Sequence, residues 1–592
     1  MATRKLKPVD VVLVGFGWTG AIMAMELTEA GLDVLALERG EPRNTNPDFS
    51  YPRVTDELTY AVRHQLFQDL SRETLTIRHR PGEHALPYRQ LGSFLPGDGV
   101  GGAGVHWNGV HWRAFPAELQ LRTHITERYG AGFIPEDMTI QDWGVTYDEL
   151  EPYYDHFERV CGTSGQAGNV QGRIVAGGNP FEAPRQRDYP LPALPALYDS
   201  ELYAKAASEL GYHPFPRPAS NASRPYTNPY GVQLAQCSFC GYCERFGCYN
   251  YSKASLQTTI HPALMQRDNF QLRTQCHVTR VNLSRDGTRA TGVTYVDPTG
   301  NEIEQPANLV ILCAYQFHNV RLLLLSGIGQ PYDPGTQTGV VGKNYSYQIL
   351  GSVDLFYGKD TVFNPFVGAG AAGHVIDDFN ADNFDHGPLG FIGGAYIGPG
   401  RTGGRPIQQL RLPPETAPWG AGWKQAIQDH YLHTMTIGTH GSVMSYRDCY
   451  LDLDPTYRDA LGLPLLRMTF DWKDNELRMS RYVTERAAEI ARHMRPDSIH
   501  MAYNKAGTHY DTRPYQTTHN VGGAIMGSDP RTSVLNKYLQ SWDVPNVFVM
   551  GAGAFPQNLG YNLTGTVGAL AYWSAHAIRQ QYLPNPGPLV RT

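Results

Sequence analysis

The first forty residues alternate between apolar and polar segments in a pattern that predicts a strand, a helix and a second strand. Residues 11–14 (VVLV) are a continuous apolar run, as expected of a fully buried strand. A glycine-rich turn follows, and then a helical segment that reaches Glu29 and is closed by Gly31. Residues 34–37 are a second apolar run, which ends at Glu38. Together they predict a βαβ unit across residues 10–40.

Further along the chain, the pattern predicts strands that are widely separated in sequence. Alternation predicts strands between 277 and 296, and the apolar run at 309–313 predicts a buried strand. Residues 351–494 are rich in turns and aromatic residues, as is typical of a sheet domain that covers a site. Residues 547–550 predict a strand that leads through Gly551 and Gly553 to an apolar helix starting near Thr564. The fold class is therefore α/β (α+β), with one sheet built from separated segments.

Length, composition and charge narrow the class of protein. With 592 residues, 41% of them hydrophobic, the chain can bury a large core in two interleaved domains. Its formal net charge of -6 comes without blocks of Lys and Arg, so nucleic-acid binding is not expected. The first ten residues lack a separate apolar stretch, so no signal peptide is expected. The uncharged stretch at 544–578 is broken by Pro and Gly, so no membrane span is expected.

The turn after the first strand has the spacing of a dinucleotide site. Gly15, Gly17 and Gly20 form Gly-x-Gly-x-x-Gly, whose bare backbone lets a pyrophosphate approach the N–H groups of a helix N-terminus. Glu38, 18 residues after Gly20, stands where a carboxylate accepts hydrogen bonds from the adenosine ribose. The alternative is a turn that serves packing alone. FAD is favoured over NAD because further glycine-rich segments, at 97–104 and 551–553, lie far along the chain.

Half of the eight cysteines lie within twelve residues, namely Cys237, Cys240, Cys243 and Cys248. Disulfides between such close neighbours would be strained, so ligation of a metal or a cluster is the better prediction. The Cys-x2-Cys-x2-Cys spacing is close to that of ferredoxin-type iron–sulfur loops. Four thiolates would also satisfy a tetrahedral zinc ion, which is the alternative.

Several separated motifs together resemble the glucose-methanol-choline (GMC) oxidoreductase family. They are Gly101-Gly102-Ala103-Gly104, residues 323–329 (LLLSGIG) and the region 519–570. The resemblance implies a Rossmann-like FAD-binding domain interleaved with a substrate-binding sheet domain. Residues 1–345 would be mainly the FAD domain, with the cysteine loop at about 230–255, residues 346–500 mainly the substrate sheet, and residues 501–592 the FAD domain again. The implied flavin contacts are Gly101, Gly102, Gly104, His106, Asn108, Gly553 and Thr564.

His106 and Trp107 resemble the His-Trp of related sugar oxidases in which the histidine is bonded to the 8α-methyl carbon of the flavin. The resemblance implies that His106 carries FAD covalently. The alternative is a histidine that only packs or forms hydrogen bonds beside a non-covalent flavin.

His519 resembles the catalytic histidine of the family, and Asn562 stands where the family has a second His or Asn. A neutral histidine within hydrogen-bond reach can remove the proton of an alcohol. The resemblance implies that His519 takes this proton, that Asn562 hydrogen-bonds the same oxygen, and that hydride passes from carbon to flavin N5.

Bacterial sugar dehydrogenases of this family hold a three-iron four-sulfur (3Fe-4S) cluster in this region with three cysteines, and their cysteine spacing differs from the one here. Which three of the four cysteines bind iron is therefore open. A second redox centre favours a dehydrogenase over an oxidase that uses O2. The presence of His519 and Asn562 favours an enzyme over a non-catalytic FAD electron carrier.

Overall similarity favours oxidation of D-gluconate to 2-keto-D-gluconate, with 2-ketogluconate, sorbitol, fructose and glucose as alternative substrates. The resemblance also implies a complex at the periplasmic face of the bacterial inner membrane. A small subunit with a twin-arginine signal would carry this chain there, because no signal is expected in its own sequence. A multihaem cytochrome c subunit would pass the electrons to ubiquinone.

Overall fold

A mixed sheet of eight strands forms the centre of the computed structural model, which describes residues 4–49, 64–90, 92–400 and 411–591. Five strands lie side by side and parallel, in the order Phe270–Arg273, Val34–Leu37, Val9–Val14, Glu302–Leu312 and Val547–Val549. The long strand Glu302–Leu312 also pairs in its first half with Arg4–Lys5 and, antiparallel, with Ala290–Val296, which pairs in turn with His277–Leu283. The predicted α/β class and its separated strands are confirmed.

The predicted βαβ unit is present within this sheet. The helix Trp18–Glu29 connects Val9–Val14 to Val34–Leu37, and Gly31 follows it with a φ of +82°. Residues 11–14 and 34–37 of these strands are continuous, buried apolar runs, because parallel strands are covered on both faces. All five parallel strands end at one edge of the sheet, and the segments that follow them meet there. This edge is where α/β sheets bind ligands.

A second, antiparallel sheet comes from the region that the sequence assigns to substrate binding. Its strands lie in the order Ala395–Pro399, Thr434–Gly441, Ile349–Phe356 and Ser498–Ala502. Buried residues alternate along Thr434–Gly441, because one face packs against the long helix Asp474–His493. The sequence interpretation did not include this helix, although its apolar residues repeat with helical spacing.

The smaller sheets join segments that are distant along the chain. A third sheet has the order Tyr450–Arg458, Pro464–Thr469, Thr76–Arg78 and Leu86–Pro87, so it draws two strands from outside the predicted range of 346–500. Short ribbons pair Phe215–Pro216 with His374–Val375, Tyr226–Thr227 with Gln233–Leu234, Ser164–Gly165 with Leu191–Pro192, and Asn169–Val170 with Arg173–Ile174.

The other helices pack around these sheets. The remaining α-helices are Pro116–Leu119, Leu121–Tyr129, Tyr147–Cys161, Tyr198–Glu209, Leu256–Thr259, His261–Leu264, Gln316–Ser326, Ala421–His430 and Thr564–Ala577. Short 3₁₀ turns are at His64–Leu66, Gly102–Gly104, Ala131–Phe133 and Ala552–Ala554, and π-type turns are at Thr45–Phe49 and Ile578–Tyr582. Within the described ranges, every helix is too short or too polar to cross a lipid bilayer.

Candidate active site

A cavity of about 520 Å³ lies between the edge of the central sheet and the antiparallel sheet. One wall is made by the segments that follow the parallel strands, including Gly15, Glu38 and Gly551. The opposite wall includes Thr436, Gly438 and His440 of the antiparallel sheet. The volume is within the usual range for small-molecule sites.

The glycine turn lies at one end of this cavity. Gly15 has a φ of +93°, and a Cβ there would be 2.7 Å from the backbone of Ala314, so only glycine fits. At Gly17 a Cβ would meet nothing closer than 3.7 Å, which leaves open space beside the N-terminus of the helix Trp18–Glu29. Gly20 does not line the cavity, and a Cβ there would be 2.4 Å from the oxygen of Gly15. The turn can thus hold a pyrophosphate on helix N–H groups, with Gly20 serving close packing.

Glu38 lies beside the glycine turn and lines the cavity. Its carboxylate accepts hydrogen bonds from the backbone N–H groups of Phe16 at 2.9 Å and Gly40 at 2.8 Å. Burial raises the pKa of this carboxyl, and the two N–H groups act in the opposite direction. Both oxygens retain lone pairs, so the group is placed to accept the ribose hydroxyls of a dinucleotide.

The second glycine block packs against the first. The N–H of Gly101 donates to the oxygen of Phe16 at 2.8 Å, and Gly104 lies so close to Trp18 that a Cβ would be 2.5 Å from the ring. Gly101, Gly102, Gly104 and Asn108 all line the cavity. The two blocks, about ninety residues apart, therefore build one cradle.

His106 projects from the end of this block and lines the cavity. Its ring is 3% exposed, and its Nε2 has no hydrogen-bond partner among the described residues. Burial, with a smaller effect of the nearby Lys253 ammonium, lowers the pKa of His106 to about 3. The imidazole is therefore neutral, which is the form that can bond to carbon or accept a hydrogen bond.

The C-terminal segment closes the cavity at the helix Thr564–Ala577. Thr564 is the first residue of this helix and lines the cavity, so the helix N-terminus and its partial positive charge face the interior. Gly551 and Ala552 also line it, whereas Gly553 lies one position beyond the lining residues. Such an N-terminus suits the electron-rich end of a flavin ring.

His519 is held in a defined orientation within the cavity wall. Its Nδ1 lies 2.5 Å from the amide oxygen Oε1 of Gln348, which can only accept, so Nδ1 carries the proton. The Nε2 atom then carries the lone pair of the ring and can accept a hydrogen bond or a proton. Burial lowers the pKa of His519 to about 4, so the ring is neutral near pH 7. These are the properties of a general base.

The side chain of Asn562 lies beside Nε2 of His519. Its Nδ2 lies 3.3 Å from Nε2 of His519, and its Oδ1 accepts a hydrogen bond from the hydroxyl of Tyr396 at 3.0 Å. Because Tyr396 occupies the oxygen, the amide N–H groups of Asn562 are turned toward His519. The preceding Tyr561 stacks on Trp112 with centroids 4.3 Å apart, which fixes the loop that carries Asn562. The Asn562 amide and Nε2 of His519 can thus both contact the hydroxyl group of one alcohol.

Four residues of this site were not identified from the sequence. Gln348 and Tyr396 orient the pair as just described, and His440 stacks on Tyr396 with ring centroids 4.8 Å apart. Arg217 lines the same region of the cavity and is 6% exposed. Of these four residues, only His440 could have been found from the sequence. It lies on the polar face of an alternating strand, together with Thr434 and Thr436.

The four clustered cysteines lie near enough to one another for their thiols to interact electrostatically, and none of them lines the cavity. All eight cysteines of the chain are free thiols, and burial and the neighbouring Cys248 and Cys240 raise the pKa of Cys237 to about 11. In the described part of the chain, no three of these sulfur atoms lie within 4.8 Å of one another. Ligands of one tetrahedral zinc would be closer, since each Zn–S bond is about 2.3 Å. The thiols of the described residues therefore do not form a tetrahedral zinc site as they stand.

The cysteine loop is tied to the loop that carries His106. The Lys253 ammonium is fully buried and donates to the carbonyl oxygens of Trp107 at 2.5 Å, Cys243 at 2.7 Å and Phe246 at 2.8 Å. In addition, the N–H of Arg245 donates to the oxygen of His106 at 2.6 Å. The two loops therefore form one rigid unit.

The residues present fit a bound FAD. The glycine cradle leaves room for a pyrophosphate, and Glu38 lies beside it. Several buried polar atoms of lining residues have no partner among the described residues, as a site shaped for a polar ligand requires. They are Nε1 of Trp18, Nε2 of His106, Oε1 of Gln316 and Oε1 of Gln516.

The fold and the site define an oxidoreductase that uses a dinucleotide cofactor. Two models of the GMC oxidoreductase family match residues 144–350 and 445–571. The chain is 57% identical over 591 residues to the gluconate 2-dehydrogenase flavoprotein of Pantoea cypripedii, covering 99% of this chain and 96% of that protein. This chain therefore belongs to the GMC oxidoreductase family, whose cofactor is FAD.

More distant relatives share the whole length. The fructose dehydrogenase large subunit of Gluconobacter japonicus is 26% identical over 592 residues, covering 96% of this chain and 97% of that protein. The structure of pyridoxine 4-oxidase from Mesorbium loti superposes with a TM-score of 0.58 at 18% identity, covering 98% of this chain and 100% of that one. At this identity the likeness concerns the fold alone.

Proposed function

We propose that this chain is the flavoprotein subunit of a dehydrogenase that oxidises D-gluconate at C2 to 2-keto-D-gluconate. The observation that carries the chemistry is the neutral His519 with its unprotonated Nε2 facing the Asn562 amide, in one cavity with the dinucleotide cradle. The choice of gluconate is supported by the relative that is 57% identical over nearly the full length.

The chemistry of alcohol oxidation follows from these two side chains. The substrate hydroxyl lies between Nε2 of His519, which removes its proton, and Nδ2 of Asn562, which donates to the same oxygen as negative charge develops. Gln348 holds the ring so that the proton can be received only at Nε2. FAD, when bound, accepts the hydride from C2. The exclusion of water by the cavity keeps His519 uncharged until substrate arrives.

The decisive experiment is a substrate panel with the purified, FAD-loaded chain and a soluble dye acceptor. Gluconate should give the highest kcat/KM among gluconate, 2-ketogluconate, sorbitol, fructose and glucose. A higher value for any other member would replace gluconate as the proposed substrate. Failure of every member to bleach the flavin would overturn the assignment to sugar-type alcohols.

The low pKa of His519 leads to a prediction about pH. A base must be deprotonated to act, so kcat/KM for gluconate should be level from pH 8 down to about 5 and fall only as the pH approaches about 4. The folded-state pKa is below the unfolded value of about 6.5, so the unfolded chain binds more protons between these two values. The free energy of unfolding should therefore begin to fall near pH 6.5, while kcat/KM is still level, and continue to fall down to about pH 4. Steady-state rates should therefore be measured beside circular dichroism. A break near pH 6.5 in folded protein would show that the ring is solvated.

We also propose that FAD is bonded to His106, whose ring lines the cavity and whose buried Nε2 has no partner in the described residues. Acid precipitation of the native chain should leave the yellow colour with the protein. His106→Ala should release that colour to the supernatant, because the bonded nitrogen is gone.

His111→Ala is the matched control for this experiment. His111 is also fully buried with an unpartnered Nε2, and the pKa of its ring is also lowered by burial, but it does not line the cavity. Colour should therefore stay with the His111 variant. Colour that stays bound in the His106 variant would contradict the proposed link.

We propose further that the cysteine loop holds an iron–sulfur cluster, the 3Fe-4S type being expected, which passes electrons singly to a partner. Support comes from the four free thiols that interact electrostatically within one loop and from the Lys253 ammonium that ties this loop to the loop of His106. The partners would be a multihaem cytochrome c subunit, which reduces ubiquinone, and a small subunit with a twin-arginine signal. The complex would work at the periplasmic face of the inner membrane.

A further inference from the structure

The cavity contains one arginine that lacks a carboxylate partner in the described ranges. Arg217 is absent from every ion pair found there. The other arginines of the lining each have a carboxylate oxygen within 4.0 Å: Arg39 with Glu73, Arg245 with Glu244, Arg321 with Asp459, and Arg411 with Asp354.

The guanidinium of Arg217 is buried as well as unpaired. The residue is 6% exposed, one of its terminal nitrogens donates to the oxygen of Pro399 at 2.7 Å, and its Nε has no partner in the described residues. Burial lowers the pKa of its guanidinium, and no carboxylate acts against that effect. A buried cation without a counter-ion is costly, so the site favours an anion that arrives from solution.

Arg217 lies at the catalytic end of the cavity. Its guanidinium carbon is 5.8 Å from the ring centre of Tyr396, the residue whose hydroxyl orients Asn562. His440 stacks on the same ring. The glycine turn that would hold the pyrophosphate is formed by other segments, so the anion that meets Arg217 is not the phosphate of the cofactor.

We propose that Arg217 binds the carboxylate of the substrate and thereby selects 2-hydroxy carboxylates of the sugar-acid class. This inference rests on the proposed function. In such a compound the reacting hydroxyl is on the carbon next to the carboxylate. Anchoring the carboxylate beside Tyr396 therefore brings the C2 hydroxyl, and not a more distant one, to Asn562 and His519. The planar guanidinium also suits a carboxylate better than a neutral hydroxyl.

The test compares D-gluconate with its neutral analogue D-gluconamide on the FAD-loaded chain with a dye acceptor. Wild-type protein should prefer gluconate in kcat/KM by about a hundredfold, as expected when a buried cation loses its charged partner. In Arg217→Met the ratio of the two kcat/KM values should fall by a similar factor, mainly through the KM of gluconate. Arg217→Lys, which keeps the charge and loses the planar group, should give an intermediate ratio.

Arg411→Met is the matched control, because Arg411 lines the same cavity and is paired with Asp354. It should change the ratio by less than about threefold. Equal oxidation of gluconate and gluconamide by wild-type protein, which requires no variant to fold, would overturn the role of Arg217 and leave the proposed function in place. If a folded Arg217→Met kept the wild-type ratio of kcat/KM for gluconate to that for gluconamide, the role of Arg217 would also be overturned. Oxidation of neutral polyols with no oxidation of gluconate would instead overturn the proposed function.

Discussion

His519→Asn should lower kcat for reduction of the flavin by gluconate by about 10²–10⁴-fold, the usual contribution of a positioned general base. An asparagine amide can still donate to Oε1 of Gln348, so the wall of the cavity should keep its shape. It cannot accept a proton at the position of Nε2. Binding of gluconate should weaken far less than turnover, since hydrogen bonding from Asn562 remains. Stopped-flow bleaching of the flavin absorbance measures the effect directly.

The control for this result is His318→Asn. His318 also lines the cavity and burial also lowers the pKa of its ring, but its partners are Arg39 and Gln68 near Glu38, at the opposite end. It should change kcat by less than about tenfold. If His519→Asn lost no more than His318→Asn, the base would have to be sought elsewhere, and His440 would be the next residue to replace.

Cys243→Ser should separate the two halves of the proposed electron path. A hydroxyl is a poor ligand for iron, and loss of a direct ligand should slow transfer to a one-electron acceptor by more than about a hundredfold. Reduction of the flavin by gluconate should survive, because the hydrogen-bond partners that orient His519 and Asn562 lie outside the cysteine loop. Iron content, electron paramagnetic resonance and stopped-flow reduction of cytochrome haem measure each half.

Cys449→Ser provides the comparison for that variant. Cys449 is as buried as Cys243 but lies far along the chain, beside Asp448. It should retain iron and haem reduction if the fold is kept. Should Cys243→Ser lose iron and still reduce haem at the wild-type rate, the cluster would be structural and the electrons would take another route.

Local motifs in the sequence predict the cofactor end of the site. The glycine turn, Glu38 and the helix Trp18–Glu29 form a single stretch, so the backbone alone determines their arrangement. His519 and Asn562 were predicted by resemblance, and the structure brings their side chains to 3.3 Å across 43 residues.

The residues that orient the catalytic pair could not be predicted from the sequence. Gln348 is 171 residues from His519, and Tyr396 is 166 residues from Asn562. Each meets its partner only because strands of the antiparallel sheet come together. A buried glutamine or tyrosine has no sequence motif, and most such residues only complete hydrogen bonding in a core. Arg217 was hidden among fifty basic residues for the same reason.

The shared strand Glu302–Leu312 has a consequence for how the protein is made. It pairs with Val9–Val14 on one side and with Val547–Val549 on the other, so the sheet that carries the cofactor joins both ends of the chain. A ribosome adds roughly 5–20 residues per second, so the first strand waits roughly half a minute to two minutes for the last one. Until then an apolar edge is open to aggregation. Folding of this sheet, and loading of its cofactor, must therefore follow synthesis, when chaperones compete for the same exposed edge.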